Sequence, residues 1–144
     1  MPTPTDPRPT FFVDRSLGAY DVPAALRGAG ALVEVHDEHF ASDTPDTAWL
    51  AEVGARGWIV LTKDSRIRRH PLELQSLLAA NVAAFILTAM DLTGADMGRI
   101  LVEALPKITQ LVRTRARPFI ATVSRQGQIV IIQGGARRGG VRKP

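Results

Sequence analysis

The chain has no cysteine. Disulfides, thiolate nucleophiles, zinc ribbons and iron–sulfur clusters are therefore excluded, and a bound metal would rest on oxygen or histidine nitrogen. No apolar run approaches the ~20 residues that a membrane-spanning helix needs, which excludes that class of membrane protein. The N-terminus, MPTPTDPRPT, has neither a basic start nor an apolar stretch of the secretory kind, so a cytoplasmic location is expected. Acid is missing from one end. Residues 113–144 carry 8 Lys/Arg and no Asp/Glu, whereas residues 1–112 carry 10 Lys/Arg and all 14 acids. An acidic body with a basic arm suits a polyanionic partner, because Lys and Arg that neutralise phosphates release condensed counterions.

What is present fits one soluble globular unit. With 144 residues, 45% apolar and 22% charged, the chain can bury roughly two-thirds of its unfolded surface. Four prolines in residues 1–9 predict an extended leader over residues 1–10, and the Gly/Arg-rich stretch 134–144 predicts a disordered basic tail, leaving 11–133 as the folded domain.

Apolar runs at 11–13, 31–35, 58–62 and 83–87 read as strands, and between them segments 22–27, 47–55 and 71–81 read as helices. Residues 36–45 look like a polar loop, with Thr44 or Asp46 as the cap of the helix that follows. Thr93 is expected to cap a long amphipathic segment, with Met97, Ile100, Leu101, Leu105, Ile108 and Leu111 on one face and Pro106 kinking or dividing it. Runs 119–123 and 129–132 around Gln126-Gly127 predict an antiparallel hairpin at a sheet edge. The alternation implies an α/β fold with a mostly parallel sheet between two helical layers. In such sheets the working crevice lies beyond the C-terminal strand ends.

Asp14 follows the first strand, Asp64 follows the third, and Asp43 or Asp46 begins the helix between them. Carboxylates crowded into one crevice repel one another unless protonated or bridged by a cation, and all-oxygen ligation suits Mg²⁺ or Mn²⁺. Thr62 stands where it could hydrogen-bond a ligand carboxylate or a phosphate. Arg66, Arg68 and Arg69 follow the third strand as candidate phosphate contacts, and Arg137, Arg138, Arg142 and Lys143 sit among glycines as a second candidate RNA-contacting group. His36 and His39 lack a third partner at a defined spacing, so zinc is not the favoured ion. Trp49 and Trp58 are expected in the core.

The stretches Phe11-Phe-Val-Asp14, Ser42-Asp-Thr-Pro-Asp46-Thr-Ala-Trp-Leu50 and Trp58-Ile-Val-Leu-Thr-Lys-Asp64 resemble PIN-like domains, the nuclease fold of VapC-type toxins of bacterial toxin–antitoxin pairs. The resemblance spans about residues 11–88 and implies a three-layer αβα fold and a Mg²⁺- or Mn²⁺-dependent endoribonuclease. By that resemblance Asp14, Asp46 and Asp64 hold metal and orient water, the substrate is RNA, and an antitoxin protein is the partner. Ser65-Arg66 occupies the place after Asp64 where relatives often carry another acid, and Asp43 or Glu38 could stand in for the family's helical glutamate. A catalytically inactive RNA- or protein-binding module is the alternative. A receiver-like signalling domain fits less well, because Arg15 follows Asp14 where receivers pair two acids. The apolar face of 97–112 suggests a homodimer.

Overall fold

The structure is a computed structural model and describes residues 8–137, the side chain of Arg68 excepted. Six strands, β1 (Thr10–Val13), β2 (Leu32–Val35), β3 (Ile59–Thr62), β4 (Ala83–Leu87), β5 (Phe119–Val123) and β6 (Ile129–Gly134), form one sheet in the order β2-β1-β3-β4-β5-β6. The first five run parallel, and β6 closes the edge antiparallel to β5, as the alternation and the hairpin signal predict. Helices α1 (Asp21–Gly28), α2 (His36–His39), α3 (Asp46–Ala55), α4 (Arg66–Arg69), α5 (Pro71–Ala79) and α6 (Gly94–Thr114) fill the connections.

Because successive strand side chains alternate faces, the sheet builds two separate cores. Phe11, Val13, Ile59, Leu61 and Phe85 meet Leu26 of α1 and Ile100, Leu101 and Ile108 of α6. Phe12, Val60, Ala84 and Ile86 meet Trp49, Leu50 and Val53 of α3 and Leu77 of α5. The same parity turns Asp14, one residue beyond Val13, and Thr62, one beyond Leu61, toward the α3/α5 side, and the register Val13↔Leu61 sets them side by side.

Several local expectations need correction. Residues 36–39 form a helical turn rather than loop, because His36 is buried against the rings of Phe12, Phe40 and Trp49. Pro45, not Thr44 or Asp46, is the cap residue of α3. Asp46 is its first residue, and no side chain caps it. Pro106 neither ends nor divides α6, which runs as one helix of 21 residues; its ring costs one internal hydrogen bond, and the buried stripe on either side keeps the helix seated. Most of that stripe packs inside the fold against the sheet and α1, while Val102, Leu105 and Leu111 stay only partly buried. Among the described residues the sheet also continues past residue 133. β6 runs to Gly134, Ala116 donates its N–H to the Ala136 carbonyl at 2.7 Å, and Arg137 bridges Arg115. Arg138, Arg142 and Lys143 lie outside the described residues.

Two close approaches fix the helices. Thr93 and Asp96 form a reciprocal capping box at the start of α6. On the other face Gly54 of α3 lies so near α5 that a Cβ there would overlap the carbonyl oxygen of Ala80. No helix among the described residues is long and apolar enough to cross a membrane.

Candidate active site

Where β1 and β3 end, a cleft of about 260 Å³ is lined by Asp14, Arg15, Ser16, Asp46, Trp49, Asp64, Arg66 and Ile67. Three acids from segments distant in sequence therefore meet at one rim, each placed by a different device.

Asp14 is buried, and its Oδ2 accepts hydrogen bonds from Ser16 Oγ at 2.8 Å and from Thr62 Oγ1 at 2.9 Å. No hydrogen bond to Oδ1 occurs among the described residues, so that oxygen keeps its lone pairs. Thr62 is fully buried. Besides donating to Asp14, its hydroxyl accepts the N–H of Asp64 at 3.0 Å, while Ser16 Oγ accepts the N–H of Lys63 at 2.9 Å. The ends of β1 and β3 are thereby laced together through two hydroxyls. This corrects one reading of Thr62: its hydroxyl positions two acids and is not exposed to a phosphate.

Asp46 takes its orientation from Trp49, three residues on along α3, whose indole N–H donates to Asp46 Oδ1 at 2.8 Å. The indole is itself clamped, stacked on Phe12 at 5.3 Å between ring centroids. Trp49 thus belongs to the core, as expected, and also aims an acid at the cleft. Trp58 packs on Phe12 as well.

Asp64 is engaged by its neighbour. The Arg66 guanidinium donates to both carboxylate oxygens, at 2.8 Å to Oδ2 and 3.0 Å to Oδ1, and the Arg66 N–H adds a third donor at 2.9 Å. These bonds hold the Asp64 carboxyl below the usual carboxylate range, and Asp64 in turn raises the Arg66 guanidinium further. Arg66 does stand at the rim, but its fork is turned onto Asp64. Arg69 is exposed on α4.

The remaining candidates lie elsewhere. Asp43 is exposed on the loop before α3 and does not line the cleft, and Glu38 pairs with Arg27 at 3.9 Å. Arg137 pairs with Arg115, which precedes β5, and so sits at the end of the sheet opposite the cleft.

Glu73, in the first turn of α5, was missed. Burial first, then the nearby Asp46 carboxyl, push the Glu73 carboxyl above its ordinary value. Glu73 Oε2 is buried and has no hydrogen-bond partner. The only sequence signal was an acid two residues after a helix-starting proline, which by itself reads as a favourable first-turn charge.

Among the described residues no three His, Asp or Glu side chains form a ready-made cage for an ion. The reason is visible in the partners: Asp14 Oδ2 faces two hydroxyls and Asp64 faces Arg66. The donor set nevertheless fits Mg²⁺ or Mn²⁺, which take one or two carboxylates and keep several waters. Asp14 Oδ1, which accepts no hydrogen bond among the described residues, and the Asp46 carboxylate on the same cleft are the oxygens such a cation would take.

Residues 9–89 match the family model described as PIN like domain. A protein of Mycobacterium tuberculosis (strain ATCC 25618 / H37Rv) named "Putative ribonuclease VapC45" is 34% identical over 117 residues, covering 78% of this chain and 84% of the relative. No solved structure matches. The matched span contains β1 to β4 and with them every acid that lines the cleft. The chain belongs to the PIN-like domain family, among its VapC-type members.

Proposed function

We propose that this protein is a Mg²⁺- or Mn²⁺-dependent endoribonuclease and the toxin of a toxin–antitoxin pair. The observation that carries the reading is the meeting of Asp14, Asp46 and Asp64 in one cleft at the C-terminal strand ends, in a chain related to a protein named as a ribonuclease. Asp14, Asp46 and Asp64 would hold the ion. When bound, the ion supplies Lewis acidity at a phosphodiester oxygen and a lowered pKa for water. In the hydrolysis, a water oxygen bonds to phosphorus, the bond from phosphorus to the leaving ribose oxygen breaks, a carboxylate of the cleft takes the proton that water loses, and the leaving oxygen gains a proton from solvent.

The chain's own residues prepare that step. Ser16 and Thr62 fix Asp14 in one orientation, and Trp49 fixes Asp46, so little reorganisation is left for the reaction. Arg66 offers a planar fork matched to phosphate once it leaves Asp64. The partners implied are an RNA substrate and an antitoxin protein that covers the cleft.

The test is Asp64→Asn with Mn²⁺ present. RNA cleavage should fall at least about 100-fold, since even residues that only orient metal ligands cost ~10–100-fold, while the melting curve stays that of a folded protein. Undiminished cleavage would remove Asp64 from the mechanism.

One observation favours a second reading, a PIN-like module that binds without cleaving: Arg66 occupies both oxygens of Asp64. Calorimetric titration with Mn²⁺ separates the two, because only the enzyme should take up the ion.

A further inference from the structure

Several arginines that the cleft does not use collect at the opposite end of the sheet. We propose that Arg113, Arg115, Arg117 and Arg137 form a second RNA-binding site there, which grips the phosphate backbone and takes no part in cleavage. The choice of RNA as the polyanion rests on the nuclease reading above; the site itself does not.

β4 carries the chain to the cleft end and α6 brings it back, so the last turn of α6 and the start of β5 lie a strand's length from the acids. Arg113 is in that last turn and is exposed. Arg115 and Arg117 follow in the connection to β5, and an isolated antiparallel bridge sets Arg137, also exposed, directly across from Arg115. Arg117 extends the group along the sheet, because its Nη1 donates to the carbonyl of Gly57, shortly before β3, at 3.0 Å. From β3 to β6 is three inter-strand spacings, which makes a row about 14 Å long.

Nothing nearby balances this charge. In the last turns of α1, α3, α5 and α6 and in the connections from them to the next strands, the one acid is Glu52, and Arg56 holds it at 2.7 Å. Among the described residues no carboxylate pairs with Arg113, Arg115 or Arg137. Like charges set directly opposite across paired segments are destabilising, so the Arg115–Arg137 pairing costs the free chain stability that an anion lying between them would return. Donors remain for it. Arg115 gives Nη1 to the Gly135 carbonyl at 3.3 Å, whereas a guanidinium carries five N–H groups. The sequence after Arg137 adds Arg138, Arg142 and Lys143 and no acid.

The chemistry of the row selects its ligand. Every cation in it is an arginine, whose planar fork matches a phosphate through two parallel hydrogen bonds, and a row fits an extended polyanion better than a single small anion. Release of condensed counterions then supplies the affinity.

The experiment measures binding of a labelled oligouridylate to the full chain by fluorescence anisotropy over a range of salt, in EDTA to suppress cleavage. Arg113→Gln/Arg137→Gln should bind about ten-fold more weakly than wild type, and its slope of log K against log salt should be shallower by about 0.7 for each arginine removed. Should that pair fail to fold, Arg113→Gln alone carries the test with half the change in slope. Arg99→Gln/Lys107→Gln removes the same charge from earlier turns of α6 and should bind as wild type does. Wild-type affinity in a folded Arg113→Gln/Arg137→Gln, an equal loss in the Arg99/Lys107 control, or equally tight capture of polyglutamate overturns the proposal. Mn²⁺-dependent cleavage is scored separately: a chain that cleaves while the Arg113/Arg137 variant binds like wild type keeps the nuclease reading and loses this site, and a chain that binds through this row but never cleaves does the reverse.

Discussion

On the α1/α6 face of the sheet the buried side chains are aliphatic, phenyl or, at Met97, a thioether, and the Thr93–Asp96 box caps α6. The α3/α5 face is different. Asp14, Thr62 and His36, the buried polar residues among those described, all lie on that side, along with the indole that orients Asp46. One face therefore maximises burial, and the other gives up part of that gain to hold carboxylates in place. The contrast teaches where stability and chemistry reside, and it can be broken by substitution.

The largest effect on stability should come from the apolar face. Ile108 is fully buried, and Ile108→Ala should cost about 2–5 kcal/mol in denaturant unfolding while RNA cleavage per folded molecule is unchanged. Lost cleavage in the folded fraction would show that the two faces are not separable. Thr62→Val sharpens the comparison from the other side. It removes a buried hydroxyl that serves both Asp14 and Asp64, so it should cost about 1–3 kcal/mol and also lower cleavage and Mn²⁺ affinity. A smaller loss, about 1 kcal/mol and confined to stability, is expected for Thr93→Ala at the start of α6.

The smallest effect is one of pH. The Thr93 N–H, then the Thr93 hydroxyl and Arg99, hold the Asp96 carboxyl below its ordinary value. A lowered folded-state pKa stabilises the fold when the group is ionised, so this contribution is complete above about pH 4 and is lost as the pH falls through the lowered pKa. Acid unfolding of Asp96→Asn should accordingly begin from a flatter limb than that of wild type.

Much of this was legible from residues alone. Four of the five parallel strands announce themselves as short apolar runs before any hairpin signal, and Thr93 reads as the cap of α6. The acids at the strand ends follow from where strands stop. What escaped depends on neighbours distant in sequence. His36-Asp-Glu-His39 reads as loop because its polarity is visible and the aromatic pocket that buries His36 is not. Arg66 reads as a rim cation, and only the coordinates turn it onto Asp64. Glu73 looks like any first-turn acid until α3 is laid beside α5.

The contact of Gly54 with Ala80 gives the molecule a fulcrum. The N-terminal turn of α3, with Asp46, lies at the far end of the helix from that contact. A methyl group added at position 54 would push α3 away from α5, and the aim of Asp46 should shift with it although the two positions never touch.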